Sequence, residues 1–360
     1  MDPNCAFDRV AVVGTGGYGW HFLCALLATK RLYVRAVTSA TETDTQPGLA
    51  KQSGLVKQKR TDKQKRLAKL REMGAEIVEY SEATSEAFAA AFTGIHTVVS
   101  AVGLSGVTSQ IAMIDGALAT GVRWFIPSEF GVAHYASAWM PFPSPLAPKT
   151  DVDQYLREHA QPRGLAHTII YTGLALDYLD PASIGLKLAS RSATLVGRGG
   201  TPVSFTPAHN VVQLVCNIVQ RPNEMINRTI RFAASTHKMR ELIKVATNGE
   251  HGEHVKIVCV EEAKAKFCEL AKRQDPRAFQ IYSRLLIEEG LGQINHMNEP
   301  LDNAMFPDID AEPVRTTLER LIENTHGEPH EQIKPTPAHR TSTAKSVTDG
   351  LGRRFRDLNL

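Results

Sequence analysis

Short apolar runs and longer two-faced stretches alternate along the first half of the chain, and that alternation predicts the architecture. Residues 9–13, Arg-Val-Ala-Val-Val, form a β-branched run of the kind buried on both faces in a parallel sheet. A glycine-rich segment, residues 14–19, follows, and residues 20–29 are apolar on several sides, as in a crossover helix. Residues 32–38 read as the next strand. Further on, Leu67, Leu70 and Met73 share a helical face that Gly74 stops, and Thr61 with Gln64 has the spacing of a capping box. Strands are expected at 76–80, 97–101, 122–126 and 166–172, with helices at 85–92, 108–120 and 151–160. This order implies an α/β fold, a Rossmann-type doubly wound parallel sheet with helices on both faces.

The pattern then changes. Residues 127–148 hold five prolines and no periodicity, so a long loop is expected, of the sort that is often functional. Beyond Gly173 the order is mixed. Residues 194–196 and 202–205 flank Gly197-Arg198-Gly199-Gly200 and predict a hairpin, while 211–220, 238–247 and most of 261–324 predict helices. The organisation expected is a Rossmann domain over 1–173 whose sheet recruits later strands. A smaller mixed α/β domain over 174–324 would complete a substrate pocket, and a polar tail over 325–360 would lack fixed structure.

Composition narrows the class. With 42% apolar and 22% charged residues in 360, the chain can bury a sizeable core. A net charge of +3 gives no field for holding nucleic acid or an anionic membrane. Five scattered cysteines, without a Cys-x-x-Cys pair, argue against a disulfide framework or zinc ribbon. No apolar run reaches 18 residues and no signal-peptide pattern opens the chain, so a cytoplasmic protein is expected. Composition does not set its oligomeric state.

The chemistry starts at Gly14-Thr15-Gly16-Gly17-Tyr18-Gly19, placed between a strand and a helix. Gly14 permits the tight turn, Gly16 lets backbone approach a pyrophosphate, and Gly19 lets helix lie on strand; the helix N-terminus supplies free N–H groups to phosphate. The end of the second strand, Thr38-Ser39, lacks the carboxylate that usually bonds a ribose 2′-hydroxyl. Thr38 and Ser39 can donate hydrogen bonds to a 2′-phosphate, and Lys51 or Lys57 can reach it, so NADP(H) is the cofactor expected. Nine Lys/Arg fall between residues 51 and 71, mostly as a solvated helix face, and no aromatics interleave there to stack RNA bases. Ligands in open α/β sheets bind beyond the strands' carboxyl ends. Gly103 is therefore assigned to the cofactor side, and Thr172, Gly173 and Leu174 to the border of nicotinamide and substrate.

Arg123-Trp124-Phe125-Ile126-Pro127-Ser128-Glu129-Phe130-Gly131 resembles the signature of the NmrA-like, isoflavone-reductase-like family of atypical short-chain dehydrogenases. The glycine loop, residues 70–103, and Pro148-Lys149 leading into a helix agree in order and spacing. The resemblance covers roughly residues 8–260. It implies reduction of a C=C, C=O or benzylic centre in a small aromatic or polyketide-like secondary metabolite. It also implies Ser128, Glu129 and Phe130 beside the cofactor, and Lys149 as the catalytic lysine. Desolvation beside an apolar cleft brings an amine's proton exchange nearer neutrality, and positive charge at a helix start opposes the dipole, both of which suit a functional lysine. None of the eight tyrosines has a lysine four residues later, which excludes a Tyr–Lys dyad and disfavours an epimerase. Three departures stand out. The family's third loop glycine falls on Trp20, with Gly19 as its substitute. Ser39 stands where members often carry arginine. Asp153 replaces an arginine and is spaced to pair with Lys149. The competing class is a non-catalytic NAD(P)-sensing regulator, which needs no Lys149.

Other candidates are weaker. His134 and Tyr135, in the long loop, are within range of substrate contact. His167 and His209 read as structural. Glu250-His251-Gly252-Glu253-His254 has metal-like composition interrupted by a turn, so no metal is expected. A Gly-x-Ser-x-Gly elbow is absent, which removes a serine hydrolase.

Overall fold

The computed structural model describes residues 7–40, 54–135, 140, 142–249, 254–295 and 299–326, with backbone alone for 54–60 and 326. The elements of the first half are β1 (Arg9–Val13), α1 (Gly17–Ala28), β2 (Tyr33–Ser39), α2 (Gly54–Glu72), β3 (Glu76–Tyr80), α3 (Ser85–Phe92), β4 (Thr97–Ser100), α4 (Gln110–Ala119), β5 (Trp124–Ile126), α5 (Ala147–Tyr155), β6 (Ala166–His167) and β7 (Ile169–Tyr171). Then come β8 (Leu186–Lys187), β9 (Ser192–Val196), β10 (Pro202–Phe205), α6 (Ala208–Val219), α7 (Pro222–Met225), β11 (Thr229–Arg231), β12 (Ser235–Lys238), α8 (Met239–Ala246), β13 (Val255–Val258), α9 (Val260–Lys272), α10 (Arg277–Glu288) and α11 (Val314–His326).

Six strands pair in parallel in the order β3-β2-β1-β4-β5-β6, which is the Rossmann order. The apolar runs read from the sequence are the buried strands, because helices cover both faces. On one face, Val10 and Val12 meet Phe22 and Leu26 of α1, Leu67 and Leu70 of α2, and Val211 and Val215 of α6. On the other, Ala11 and Val13 meet Phe88 and Phe92 of α3 and Met113 and Ile114 of α4. Each fully buried Val, Leu, Ile, Met or Phe among these contributes about 1.5–3 kcal/mol of transfer free energy. At the sheet edge, Trp124 Nε1 donates to Thr168 Oγ1 at 2.9 Å, and that hydroxyl donates to the Met225 carbonyl at 2.6 Å. Thr168 divides β6 from β7, and β7 pairs in parallel with β11. With α6 lying against α1, residues beyond Gly173 thus return to the first layer. A separate cluster joins β8–β10 to α8 and α11, and another joins α9 and α10 to the loop after β5.

Two local expectations are corrected. The hairpin across residues 197–200 does not form. Instead, β9 pairs with β8 and β13, and β10 pairs with β12. The Glu288 carboxylate accepts the Arg198 and Gly199 N–H groups at 2.8 and 3.0 Å, which ties the turn to the end of α10 while its two flanking strands pair elsewhere. Nor does Thr61 cap a helix. It lies inside α2, which runs unbroken from Gly54 until Gly74, at φ +98°, follows its end. The expected tail beyond His326 lies outside the described residues, as do residues 250–253 of the His/Glu cluster. Among the described residues, no helix is long and apolar enough to cross a membrane.

Candidate active site

The glycine loop is shaped by what its neighbours leave no room for. Gly14 takes φ +105°, its N–H donates to the Val37 carbonyl at 2.8 Å, and a Cβ there would stand 2.8 Å from the Ala101 carbonyl oxygen. A Cβ on Gly19 would overlap the Gly14 carbonyl, so this residue, and not Trp20, brings α1 down onto the loop. Gly16 differs. It precedes α1 with no side-chain cap, and a Cβ added there meets no atom of the described residues within 4 Å; the same is true of a Cβ on Gly103 beyond β4. The first turn of α1 carries no acid. The uncapped start of α1, with free space on the Gly16 side, fits a diphosphate, while the Tyr178 hydroxyl lies against Gly17, at φ +47°, and leaves no room for a Cβ there. Thr15 and Thr38, both buried, share a hydrogen bond of 3.1 Å between hydroxyls, tying the loop to the end of β2.

Cations reach that strand end from a place the sequence reading did not choose. Lys51 lies outside the described residues, and only the backbone of Lys57 is described. Lys63, in the middle of α2, donates through Nζ to the Ser39 carbonyl. Its pKa is lowered, first by burial and further by Arg66, with Glu79 opposing. The Nε of Arg66 is buried without a hydrogen-bond partner among the described residues. The signal was Lys63 and Arg66 at i, i+3 beside the buried Leu67 and Leu70, a half-inward position within a run otherwise read as solvated.

The chain leaving β5 builds the second half of the site. Ser128 is held on three sides. Its N–H donates to Gln110 Oε1 at 2.8 Å, its hydroxyl donates to the Val102 carbonyl at 2.8 Å, and its own carbonyl accepts Lys149 Nζ at 2.8 Å. Lys149 sits in the first turn of α5, where Pro148 is tolerated because its missing N–H would be unpaired there anyway. Nζ also lies 3.5 Å from Glu129 Oε2, a carboxylate only 1% exposed. The pairing of Lys149 with Asp153 anticipated from their spacing does not occur. Asp153 instead takes Arg157 Nε at 2.9 and 3.0 Å and lies 3.4 Å from His134 Nε2.

His134 is buried behind the cavity wall instead of facing substrate space. Its Nδ1 is 3.3 Å from Glu129 Oε2 and 3.0 Å from the Tyr171 hydroxyl. Burial disfavours its charge, but the adjacent carboxylates of Asp153 and Glu129 outweigh that, and its pKa is raised to about 9. A folded-state pKa above the ordinary 6.5 means that stability from this charge is full below pH 6.5 and lost as pH rises through about 9. The difference in thermal midpoint between wild type and His134→Asn should accordingly be largest near pH 6 and narrow above pH 9, as differential scanning calorimetry can follow; a constant gap contradicts the assignment. His167 is buried and His209 half-buried, and desolvation lowers the pKa of each.

Lys149, Phe130, Gly173 and Leu174 converge on a cavity of about 210 Å³. Tyr18 enters it from the glycine loop, and Tyr178, Phe279 and Tyr282 enter from the second half of the chain. The Tyr18 ring stacks on Tyr178 at 4.2 Å and meets Phe130 edge-on at 6.1 Å. Gly173, at φ +70°, has no room for a Cβ against the Ser204 carbonyl, and its N–H donates to the Gly131 carbonyl at 3.0 Å. Thr172 is buried beside it and is not on the cavity wall. The aromatic residues from 178 onward escaped the sequence reading because no motif marks them. A larger, open groove of about 650 Å³ lies between α8 and α11, far in sequence from the strand ends, and its rim is charged.

The model of the NmrA-like family matches residues 7–320. An oxidoreductase of Aspergillus flavus, aprR, is 31% identical over 154 residues, which span 42% of this chain and 52% of that protein, so the match covers about half of the relative's length. Among solved structures, the binary complex of leucoanthocyanidin reductase with NADPH from Vitis vinifera is similar at 19% identity and TM-score 0.67, covering 88% of this chain and 99% of that one. AtPrR2 with NADP+ and (+)pinoresinol is similar at 17% identity and TM-score 0.65, over 88% and 99%. At these identities the structural likeness establishes the fold.

Proposed function

The chain belongs to the NmrA-like family, and from that premise we propose that it is an NADPH-dependent oxidoreductase. Its substrate is a small aromatic or polyketide-like metabolite reduced at a C=C, C=O or benzylic centre, with Lys149 as general acid or base. The observation that carries this reading is the setting of Lys149. Its side chain is 15% exposed and anchored by Ser128 and Glu129, on the wall of an apolar cavity that also touches the glycine loop through Tyr18.

The open sides of Gly16 and Gly103, with the uncapped start of α1, fit the diphosphate of the cofactor. Lys63, bonded to the Ser39 carbonyl at the end of β2, fits a 2′-phosphate, with Arg66 three residues further along α2. NADPH, when bound, supplies a hydride. The chain's part is to orient and to move a proton. Tyr18, Phe130, Tyr178 and Tyr282 present ring faces and edges to an aromatic substrate and exclude water. Lys149 Nζ holds a proton at the cavity wall, where it can be given to the substrate atom that gains charge, or can stabilise that charge electrostatically. A non-catalytic sensor of NAD(P) shares the glycine loop but leaves Lys149 in the cavity unexplained.

Absorbance of NADPH followed across a panel of phenolic and polyketide-derived ketones and enones tests the reading, which expects consumption with at least one; tight NADPH binding with no consumption anywhere favours the sensor. Cofactor choice has its own test. Lys63→Ala should weaken NADPH binding by about tenfold, the worth of one charge-assisted contact, and leave NADH unchanged. Equal weakening of both by calorimetry would remove Lys63 from the 2′-phosphate.

A further inference from the structure

We propose that His134 is a positioning residue for Lys149: it holds the buried Glu129 carboxylate against which the Lys149 ammonium is set. The proposal rests on the reductase reading for its catalytic consequence, though not for its geometry.

Glu129 is 1% exposed, and neither of its carboxylate oxygens has a hydrogen-bond partner among the described residues. A buried carboxylate in that condition persists only when positive charge opposes it. Two nitrogens share one of its oxygens: His134 Nδ1 at 3.3 Å and Lys149 Nζ at 3.5 Å from Oε2. His134 is itself clamped on every side. Glu129 faces it from the loop after β5, Asp153 from α5 at 3.4 Å, and the Tyr171 hydroxyl from β7 at 3.0 Å. Beyond these stand Lys149 behind Glu129, Arg157 behind Asp153, the neighbouring Tyr135 ring, His167 within electrostatic range of Asp153, and Arg231 over the Tyr171 ring.

A cationic imidazole in this place divides the charge of Glu129 between two partners. Lys149 then keeps the Ser128 carbonyl as its main anchor and leaves its remaining N–H bonds to the cavity. A neutral residue at 134 hands the whole carboxylate charge to Lys149, draws the ammonium toward Glu129 and holds its proton there. His134 thus acts on turnover without touching substrate, and its location behind the cavity wall accounts for that.

Reductive methylation of Lys149 by formaldehyde and cyanoborohydride, read by peptide mass spectrometry on the full chain, reports its free amine with no substrate present. His134→Asn should slow that labelling about tenfold at pH 8, the effect of one neighbouring charge. His134→Lys should restore it. Glu129→Gln should speed labelling, and adding His134→Asn to Glu129→Gln should change nothing more, because the carboxylate through which His134 acts is gone. In turnover, kcat should fall about tenfold in His134→Asn with KM for NADPH unchanged. Labelling of His134→Asn at the wild-type rate, or a further slowing in the Glu129→Gln background, overturns the proposal. Should His134→Asn not fold, unchanged labelling in Glu129→Gln overturns it equally. The labelling pattern without reduction of any metabolite would remove the reductase reading and leave this one standing.

Discussion

Lys149→Ala is expected to lower kcat by about 10²–10⁴-fold, the usual worth of a positioned acid or base, while the dissociation constant for NADPH stays near its wild-type value. That factor corresponds to about 3–5 kcal/mol of transition-state stabilisation. The separation of the two effects follows from position. The ammonium is on the cavity wall beside Phe130 and Leu174, whereas the features fitted to phosphate lie at Gly16, Gly103 and the end of β2. A second consequence concerns the fold itself. Removing Lys149 leaves the buried Glu129 with His134 alone, and breaking a buried ion pair costs about 3–5 kcal/mol, so the thermal midpoint should drop as well. Stopped-flow or steady-state absorbance gives the first result and calorimetry the second. Full turnover in Lys149→Ala would require another proton donor.

The second large effect separates two glycines only three residues apart. Gly19→Ala forces a methyl group onto the Gly14 carbonyl oxygen, a backbone atom that cannot move without shifting α1 from the sheet. Destabilisation of about 1–3 kcal/mol or more is expected, with loss of NADPH binding. Gly16→Ala has free space, so its thermal midpoint should match wild type. Its NADPH affinity should nevertheless fall at least about tenfold, because the methyl group occupies the side on which backbone must approach the pyrophosphate. A Gly16→Ala protein that folds and binds NADPH like wild type would show that the loop is only a tight turn.

The parallel sheet was legible because buried strands between two helical layers must be continuous apolar runs, and 9–13, 97–100 and 124–126 are such runs. The glycine spacing was legible for the same reason: only glycine permits the backbone of residue 14 and the contact at residue 19. Contacts between segments distant in sequence were not legible. Glu288, 90 residues from the turn at Arg198, holds that turn, and nothing local to residues 194–205 announces it. Lys63 resembled its solvated neighbours until α2 was placed beside β2. His134 read from the sequence as a loop histidine within range of substrate; its contacts instead are with Glu129, Asp153 and Tyr171, three residues from three segments. The cavity aromatics belong to the same class of information, since Tyr178 and Tyr282 meet Tyr18 and Lys149 only after the chain has returned to the sheet.

Calorimetric titration of the full chain with NADPH, and in parallel with NADH, bears most directly on the idea that the bend after β1 grips a nicotinamide dinucleotide. Saturable one-to-one binding of NADPH is expected, with NADH weaker by about tenfold or more if Lys63, at the end of β2, meets the 2′-phosphate as proposed. Absence of binding heat with both, in a protein whose circular dichroism shows the fold intact, would contradict it.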